Sequence, residues 1–180
     1  LDYVIVLAAG EGTRMKSTLP KVLHRVGGRP MLIHLLETAS SIEPAAIHVV
    51  VGSGSEQVKQ ACSEFQVNWV IQHERRGTGH AVSQAMPHIP DDSRVMVLLG
   101  DHPLIPATVL RELTSGRPAP LTVLTMELAK PRGYGRIERD RIGRIAGIVE
   151  DRDATPAQWG IKEVNTGIIL SSALELRRWL

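Results

Sequence analysis

The chain has 180 residues, 43% of them hydrophobic, and a formal net charge of +2 at pH 7, which fits one globular domain with a packed core. So small a charge gives no electrostatic reason to expect nucleic-acid binding, no apolar stretch approaches the roughly 20 residues of a membrane helix, and the single cysteine, Cys62, excludes an intrachain disulfide. We therefore expect a cytoplasmic protein that binds neither nucleic acid nor membranes.

Short β-branched runs alternate with helical patterns through the first 115 residues. Strands are predicted at 4–7, 47–51, 67–71 and 94–99, and helices after Pro30, after a capping box of Ser53 with Glu56, at 79–86 and at 106–113. Parallel neighbouring strands need a crossover, which a helix supplies, so this alternation predicts an α/β fold with a doubly wound, mostly parallel sheet. The aromatic content of 3% agrees with a core of aliphatic side chains.

The pattern changes after residue 120, where strands are predicted at 121–127, 136–139, 145–150 and 164–170. Strands that follow one another without a helix favour mixed pairing and longer loops. Ser172 and Glu175 then form a capping-box pattern that opens a helix, and the apolar face of this helix is still present at Leu180. We therefore expect the natural polypeptide to continue beyond this chain.

A glycine-rich loop follows the first predicted strand, at the edge of the sheet where ligands gather in open α/β folds. Small residues let backbone N–H groups approach an anion, and Arg14 and Lys21 add positive charge, so the stretch from Leu7 to Lys21 is a candidate triphosphate cradle. The dinucleotide fingerprint does not fit, because Met15 stands where it requires a third glycine, and the Walker motif is absent. An ordinary strand-to-helix turn remains the alternative interpretation.

Two further polar groups follow the third and fourth predicted strands. Asp101 is placed to hold Mg²⁺ between phosphate oxygens. Gln72, together with Gly77 and Thr78, offers an amide and backbone groups for reading the edge of a base. A purely structural role in a turn or a helix cap stays open for each of them. We expect both groups to lie opposite the glycine-rich loop, since the carboxyl ends of parallel strands share one edge of the sheet.

Three polar or glycine positions lie at the ends of the later strands: Gly135, Glu150 and Asn165. A carboxylate and an amide that converge on a pocket are suitable hydrogen-bond partners for sugar hydroxyls and an acetamido group. Each of the three alone has a structural role as its simpler interpretation. The seven histidines are scattered and do not have the spacing of a metal site.

Seven short segments carry a family resemblance that spans nearly the whole chain. They are Leu-Ala-Ala-Gly-Glu-Gly-Thr-Arg-Met (7–15), Leu-Pro-Lys-Val-Leu-His (19–24), Gly-Thr-Gly-His-Ala (77–81), Gly-Asp-His-Pro-Leu-Ile (100–105), Gly-Tyr-Gly-Arg-Ile (133–137), Gly-Ile-Val-Glu (147–150) and Asn-Thr-Gly-Ile (165–168). Together they resemble the uridyltransferase domain of the bifunctional N-acetylglucosamine-1-phosphate uridyltransferases. The first segment is shared by many sugar-phosphate nucleotidyltransferases, whereas the block from Gln72 to Ala81 and the last glycine segments are more particular.

The resemblance implies a Rossmann-like nucleotide-diphospho-sugar transferase fold with Mg²⁺ as cofactor. It implies an enzyme that transfers UMP from UTP to N-acetyl-α-D-glucosamine 1-phosphate and releases pyrophosphate. The product, UDP-N-acetylglucosamine, feeds bacterial peptidoglycan and lipopolysaccharide synthesis. The single domain then has a nucleotide-binding half at 1–115 and a sugar-binding half at 116–180.

Carried over position by position, the resemblance assigns Arg14 and Lys21 to catalysis, with Arg14 on the leaving pyrophosphate. The nucleotide site comprises Leu7, Ala8, Ala9, Gly10, Lys21, Gln72, Gly77, Thr78, Leu99, Gly100 and Asp101. Asp101 is also the Mg²⁺ ligand, and the sugar is held by Gly135, Glu150 and Asn165. Glu11 and His102 receive no defined role.

The sequence departs from the family pattern in two ways. Leu99 stands where the family often has an aromatic residue, and the family's second Mg²⁺ ligand, an Asn, would lie beyond Leu180, as would the β-helix acetyltransferase domain through which the family forms trimers. Two alternatives therefore stay open. One is a nucleotide-sugar-binding module without catalysis, and the other is a transferase that uses another nucleotide or another sugar phosphate.

Overall fold

A computed structural model describes residues 2–10, 12, 15–52, 55–74, 76–116 and 119–180. These residues form two compact units. The first unit comprises residues 1–122 and 169–180, and the second comprises residues 123–168. The chain therefore leaves the first unit once and returns to it within its last strand.

The elements follow one another in an alternating order up to residue 115. They are β1 (Asp2–Leu7), β2 (Arg25–Val26), β3 (Arg29–Pro30), α1 (Met31–Ser40), β4 (Ala46–Gly52), α2 (Glu56–Ala61), β5 (Asn68–Gln72), α3 (Thr78–Ala85), β6 (Arg94–Leu99) and α4 (Ala107–Ser115). The remaining elements are β7 (Leu121–Glu127), β8 (Arg136–Arg139), β9 (Ile145–Val149), α5 (Pro156–Trp159), β10 (Glu163–Ser172) and α6 (Ala173–Trp179). Short 3-10 turns occupy Lys21–Leu23 and Met86–His88. Ser53, the predicted cap of α2, lies outside the described residues.

The sheet of the first unit has four parallel strands in the order β5-β4-β1-β6, and residues 169–172 of β10 run antiparallel beside β6. In register, Leu7 at the end of β1 lies opposite Val50 on one side and Leu99 on the other. The predicted α/β class and the mostly parallel sheet are therefore confirmed. The register also brings the carboxyl ends of β1 and β6 to the same edge.

Aliphatic side chains fill this unit on both faces of the sheet. Val4, Ile5 and Val6 of the central strand β1 are fully buried, which requires cover on both sides because successive side chains of a strand alternate. One covering layer is α3, whose Ala81, Val82 and Ala85 join Ile5, Val50 and Val70 in one core cluster. Helix α1 buries Leu32, Leu35 and Leu36 on its apolar stripe.

The second unit is built from antiparallel strands. β8 and β9 form a hairpin with an irregular register between Glu138 and Arg139, and β10 pairs with β8 at Val164 and Arg136. Strand β7 also pairs with β10. Because β10 also runs antiparallel beside β6, which is parallel to β1, the mixed pairing expected after residue 120 is confirmed. Helix α5 was not predicted; it has only four residues, too few for a helical period, and a capping box between Thr155 and Gln158 begins it.

The last helix begins as the sequence predicted. The Ser172 hydroxyl accepts a hydrogen bond from the backbone N–H of Glu175 at 3.2 Å, which satisfies one of the donors left open in the first turn of α6. None of the helices in the described part of the chain has the length and hydropathy that a bilayer crossing requires.

Candidate active site

A pocket of about 310 Å³ opens at the carboxyl edge of the parallel sheet in the first unit. Nine of the residues predicted for the nucleotide site line it, and they are Leu7, Ala9, Gly10, Lys21, Gln72, Gly77, Thr78, Leu99 and Asp101. The structure thus brings together the glycine-rich loop, the acidic group and the amide group. It adds Val22 and Ala81, two apolar residues that carried no chemical signal in the sequence.

The loop after β1 exposes some of its backbone and uses the rest within the fold. The N–H of Ala8 donates to the carbonyl of Val50 at 2.8 Å, so this amide is already paired, and Ala8 is not part of the pocket lining. Gly10, in contrast, is exposed and lines the pocket. Arg14 and Glu11 lie outside the described residues, so the place of the predicted catalytic arginine is not given by the structure.

Gly12 lets the loop pack closely on Lys21. Its φ of +60° is in the left-handed region, and a Cβ at this position would lie 2.7 Å from Cβ of Lys21. A side chain at residue 12 would therefore displace the stem of the lysine. Besides offering backbone amides to an anion, the glycine-rich loop therefore helps to position the side chain of Lys21.

Lys21 and Asp101 form an ion pair in the pocket, with the ammonium donating to Oδ2 of the carboxylate. Their side chains are 38% and 28% exposed, so both are accessible to a ligand. Asp101 follows β6 through Gly100, whose N–H donates to the carbonyl of Leu7 at 2.9 Å. A Cβ on Gly100 would lie 2.9 Å from that same oxygen, so a glycine is needed where the ends of β1 and β6 meet.

The pocket also holds a buried amide. Gln72 ends β5 and is 4% exposed, and its Nε2 lies 3.4 Å from the carbonyl oxygen of Gly77 and 3.0 Å from Nδ1 of His80. Gly77 has a φ of +101°, a conformation that favours glycine, and Thr78 follows it as the first residue of α3. His80 belongs to the motif at 77–81, but no sequence pattern indicated a role for it.

The acidic side of the pocket suits a magnesium ion that is shared with a nucleotide. Mg²⁺ takes hard oxygen ligands and is commonly bound by one or two carboxylates together with substrate phosphates and water. Asp101 provides such a carboxylate beside Lys21 and the glycine-rich loop. No cluster of three or more His, Cys, Asp or Glu side chains occurs within the described ranges, so a closed all-protein metal cage is not formed by them.

The three residues predicted for the sugar converge within the second unit. The N–H of Asn165 donates to the carbonyl of Gly135 at 2.8 Å, and a Cβ on Gly135 would lie 3.4 Å from Oε1 of Glu150. The side-chain oxygen of Asn165 accepts from the N–H of Gly167 at 2.9 Å, which turns its NH₂ group away from the backbone. The backbone of Asn165 and the carboxylate of Glu150 are thus both close to Gly135, and a role of the three residues in sugar binding stays a prediction.

A buried arginine braces the two turns that carry Gly135 and Glu150. The Arg136 side chain is 3% exposed and donates to the carbonyl of Tyr134 and, at 2.7 Å, to Oδ1 of Asp151. The hydrogen bond from Arg136, aided by the N–H of Gly133, lowers the pKa of the Asp151 carboxyl. No sequence pattern indicated this role, because it depends on a contact across fifteen residues between two turns.

The first unit has an open parallel sheet, and the glycine-rich loop, a lysine and an aspartate meet at its carboxyl edge. This combination defines an α/β nucleotidyltransferase domain. Residues 4–146 match the family of MobA-like NTP transferase domains, and the chain belongs to that family. The chain is also 52% identical over 179 residues to the bifunctional protein GlmU of Xanthomonas oryzae pv. oryzae, a match that covers 99% of this chain and 39% of that protein. It therefore spans about two fifths of the length of the curated relatives it matches.

Solved structures show the same fold at low sequence identity. HddC from Yersinia pseudotuberculosis complexed with GMP-PN superposes with a TM-score of 0.73 at 23% identity, over 95% of this chain and 76% of that one. CMP:2-keto-3-deoxy-manno-octonic acid synthetase complexed with CTP gives 0.73 at 19% identity, over 99% and 76% of the two chains. The family match and the GlmU relatives support nucleotidyl transfer as the class of reaction.

Proposed function

We propose that this chain transfers UMP from UTP to N-acetyl-α-D-glucosamine 1-phosphate and releases pyrophosphate, to give UDP-N-acetylglucosamine. The observation that carries the proposal is the single pocket in which the loop after β1, the Lys21–Asp101 pair and the Gln72 amide meet. A triphosphate needs a loop with a cation beside it, and a base needs an amide as hydrogen-bond partner. This pocket offers both surfaces side by side. The identity of 52% to a GlmU protein over nearly the whole chain supports the same reaction.

The chemistry requires positioning and charge stabilisation. A phosphate oxygen of the sugar phosphate attacks the α-phosphorus of UTP in line; the new P–O bond forms as the bond from the α-phosphorus to the bridging oxygen breaks, and the electron pair leaves with pyrophosphate. A phosphate dianion is already a competent nucleophile, so no side chain has to remove a proton. Lys21 and the loop amides stabilise charge on the phosphoryl oxygens, and Arg14 acts on the leaving group.

The Lys21–Asp101 pair keeps both charges in place before substrate arrives. Asp101 would hold Mg²⁺, an ion that is commonly bound by one or two carboxylates together with substrate phosphates. When bound, this ion supplies Lewis-acid stabilisation of the phosphoryl oxygens. The ammonium of Lys21 neutralises the Asp101 carboxylate in the free protein. Lys21 also lines the same pocket as the glycine-rich loop.

The remaining residues provide selectivity. Gln72, Gly77 and Thr78 contact the base, because they line the same pocket as Lys21 and offer both an amide and backbone groups. In the second unit, the Glu150 carboxylate accepts hydrogen bonds from sugar hydroxyls, and Asn165 donates from its NH₂ group. Gly135 lies beside this carboxylate, and a Cβ there would lie 3.4 Å from Oε1 of Glu150, so a glycine leaves the carboxylate free to face the sugar.

The experiment follows the fate of each phosphate. The chain is incubated with Mg²⁺, UTP labelled at the α-phosphate, and a panel of acceptors that includes N-acetylglucosamine 1-phosphate, glucosamine 1-phosphate and glucose 1-phosphate. We expect label in UDP-N-acetylglucosamine and an equal amount of unlabelled pyrophosphate. Saturable UTP binding without pyrophosphate would favour a binding module, and a clear preference for another acceptor or another nucleotide would replace the assigned substrates.

A further inference from the structure

A short chain of hydrogen bonds holds Gln72 at the base end of the nucleotide pocket. Its amide nitrogen lies 3.4 Å from the carbonyl oxygen of Gly77 and 3.0 Å from Nδ1 of His80. On the other side of the imidazole ring, Nε2 of His80 lies 3.4 Å from the amide nitrogen of Gln84, which also contacts Oγ of Ser83 at 3.3 Å. The contact between Gly77 and Gln72 fixes the positions of the hydrogens along this series of hydrogen bonds.

The carbonyl of Gly77 decides which way round the Gln72 amide stands. A backbone carbonyl only accepts, so the group that faces it is the NH₂ of Gln72, whose second hydrogen then goes to Nδ1 of His80. Nδ1 must therefore accept, which places the ring hydrogen on Nε2. The Gln84 amide then presents its oxygen to Nε2–H. In this orientation its contact with Oγ of Ser83 is no hydrogen bond, because the one hydroxyl hydrogen of Ser83 goes to the carbonyl of His80 at 2.8 Å.

This arrangement leaves the carbonyl oxygen of Gln72 for a ligand. Both amide hydrogens are used inside the protein, and no donor among the described residues reaches Oε1. A carbonyl oxygen accepts a hydrogen bond from the N3–H of uracil. Cytosine has an acceptor at N3 instead, so the same oxygen would face another lone pair and make no hydrogen bond.

We propose that His80 is a positioning residue that sets the preference for uracil over cytosine, because it holds the Gln72 amide with its carbonyl towards the base. The proposal rests on the proposed function, which places the base at this end of the pocket. Without an acceptor at position 80, the amide rotates more freely and offers its NH₂ group as well. That group suits cytosine, so selectivity falls even though Gln72 itself is unchanged.

Two substitutions in the full chain separate this role from simple packing. His80→Leu keeps a side chain of similar bulk but removes the acceptor. His80→Asn keeps an acceptor oxygen at about the position of Nδ1. His73→Leu is the matched control, since His73 is exposed and follows Gln72 directly. For each protein, kcat and KM are measured with UTP and with CTP at saturating acceptor, and the unfolding temperature reports on folding.

We expect wild type, His80→Asn and His73→Leu to prefer UTP. For His80→Leu we expect the preference for UTP, measured as kcat/KM for UTP divided by kcat/KM for CTP, to fall about tenfold, mainly because the KM for UTP rises. This is the effect of one hydrogen bond that has lost its fixed geometry. A His80→Leu variant that folds and keeps the full UTP preference would overturn the proposal. A wild-type chain that does not prefer UTP would instead overturn the proposed function.

A second measurement needs no substitution. In protein labelled with ¹⁵N-histidine, the ring-nitrogen shifts and couplings of His80 identify the nitrogen that carries the hydrogen. The hydrogen-bond chain requires it on Nε2. A hydrogen on Nδ1 would force the Gln72 carbonyl to turn towards His80, and it would overturn the proposal even if the Leu variant did not fold.

Discussion

Lys21 and Asp101 are eighty residues apart in sequence, yet their side chains form an ion pair at the mouth of one pocket. They meet because β1 and β6 are parallel neighbours and each residue comes after the carboxyl end of its strand. The ion pair therefore depends on the alignment of these two strands as well as on the opposite charges of the side chains. Anything that separates the ends of these two strands should also separate the cation from the carboxylate.

Gly100→Ala tests this dependence. Its Cβ would lie 2.9 Å from the carbonyl oxygen of Leu7 and 3.0 Å from Cγ1 of Val22, so the ends of β1 and β6 must move apart. We expect a loss of about 1–3 kcal/mol in the free energy of unfolding, typical of an overpacked site, and a large loss of transfer activity. Urea unfolding and steady-state kinetics measure the two effects. Gly116→Ala is the control, because its nearest neighbours would be 3.7 Å away; equal behaviour of the two variants would count against the close approach.

Gly135→Ala tests the sugar residues of the second unit. The added Cβ would lie 3.0 Å from Cγ2 of Ile148 and 3.4 Å from Oε1 of Glu150. We expect the KM for the sugar phosphate to rise about tenfold or more while the KM for UTP changes little, because one extra methyl group in a fitted pocket typically changes binding by that order. Gly160→Ala, at a site with room for a Cβ, serves as the control. An unchanged sugar KM in Gly135→Ala would remove this residue from the sugar site.

His48 predicts a stability change with pH. It is 2% exposed, its two ring nitrogens have no partner among the described residues, and burial, together with nearby His88, lowers its pKa from 6.5. Above pH 6.5 neither the folded nor the unfolded state protonates this ring. Below it the unfolded chain takes up a proton that the folded chain does not, so the folded state loses stability as the pH falls.

His48→Phe removes this titration while it keeps a ring between Tyr3 and His88, which stack on either side. We therefore expect the wild-type free energy of unfolding to fall more steeply between pH 7.5 and about 5 than that of the variant. Denaturant titrations at several pH values measure the difference. Parallel pH profiles would mean that the folded state protonates His48 as readily as the unfolded state does.

Cys62 is expected to be chemically inert in the folded protein. The thiol is fully buried, and burial together with the nearby Glu64 raises its pKa to about 11. The reactive thiolate is therefore almost absent at pH 8. Iodoacetamide should modify Cys62 only after denaturant unfolds the chain, and mass spectrometry gives the extent of labelling. Rapid modification without denaturant would show that the region after α2 opens readily.

Much of the fold could be predicted from local sequence signals. The four buried parallel strands are continuous β-branched runs, and each was placed within about two residues of its observed bounds, because burial on both faces leaves a strong apolar signal. The hairpin of β2 and β3 was missed. Each strand has only two residues, although Gly27 and Gly28 between them are a recognisable turn signal.

The candidate site could be predicted where function needs unusual residue types next to a strand end. Glycines, Lys21 and Asp101 are of this kind. Other contributions depend on contacts that no local pattern contains: Arg136 reaches Asp151, His80 orients Gln72, and the amide of Ala8 is paired with Val50. These three follow from strand register and from turns folding back on each other, so a single sequence gave no signal for them.

The rate of pyrophosphate release from UTP and N-acetylglucosamine 1-phosphate, measured for wild type and for Lys21→Met, tests the central claim most directly. Lys162→Met is the control, since Lys162 is exposed and lies in the second unit. We expect wild type and the control to release pyrophosphate at equal rates and Lys21→Met to be slower by about 10²–10³, the usual effect of removing one group that stabilises transition-state charge. Near-wild-type turnover in a folded Lys21→Met variant would contradict the account, because the pocket would then not be the site of the reaction.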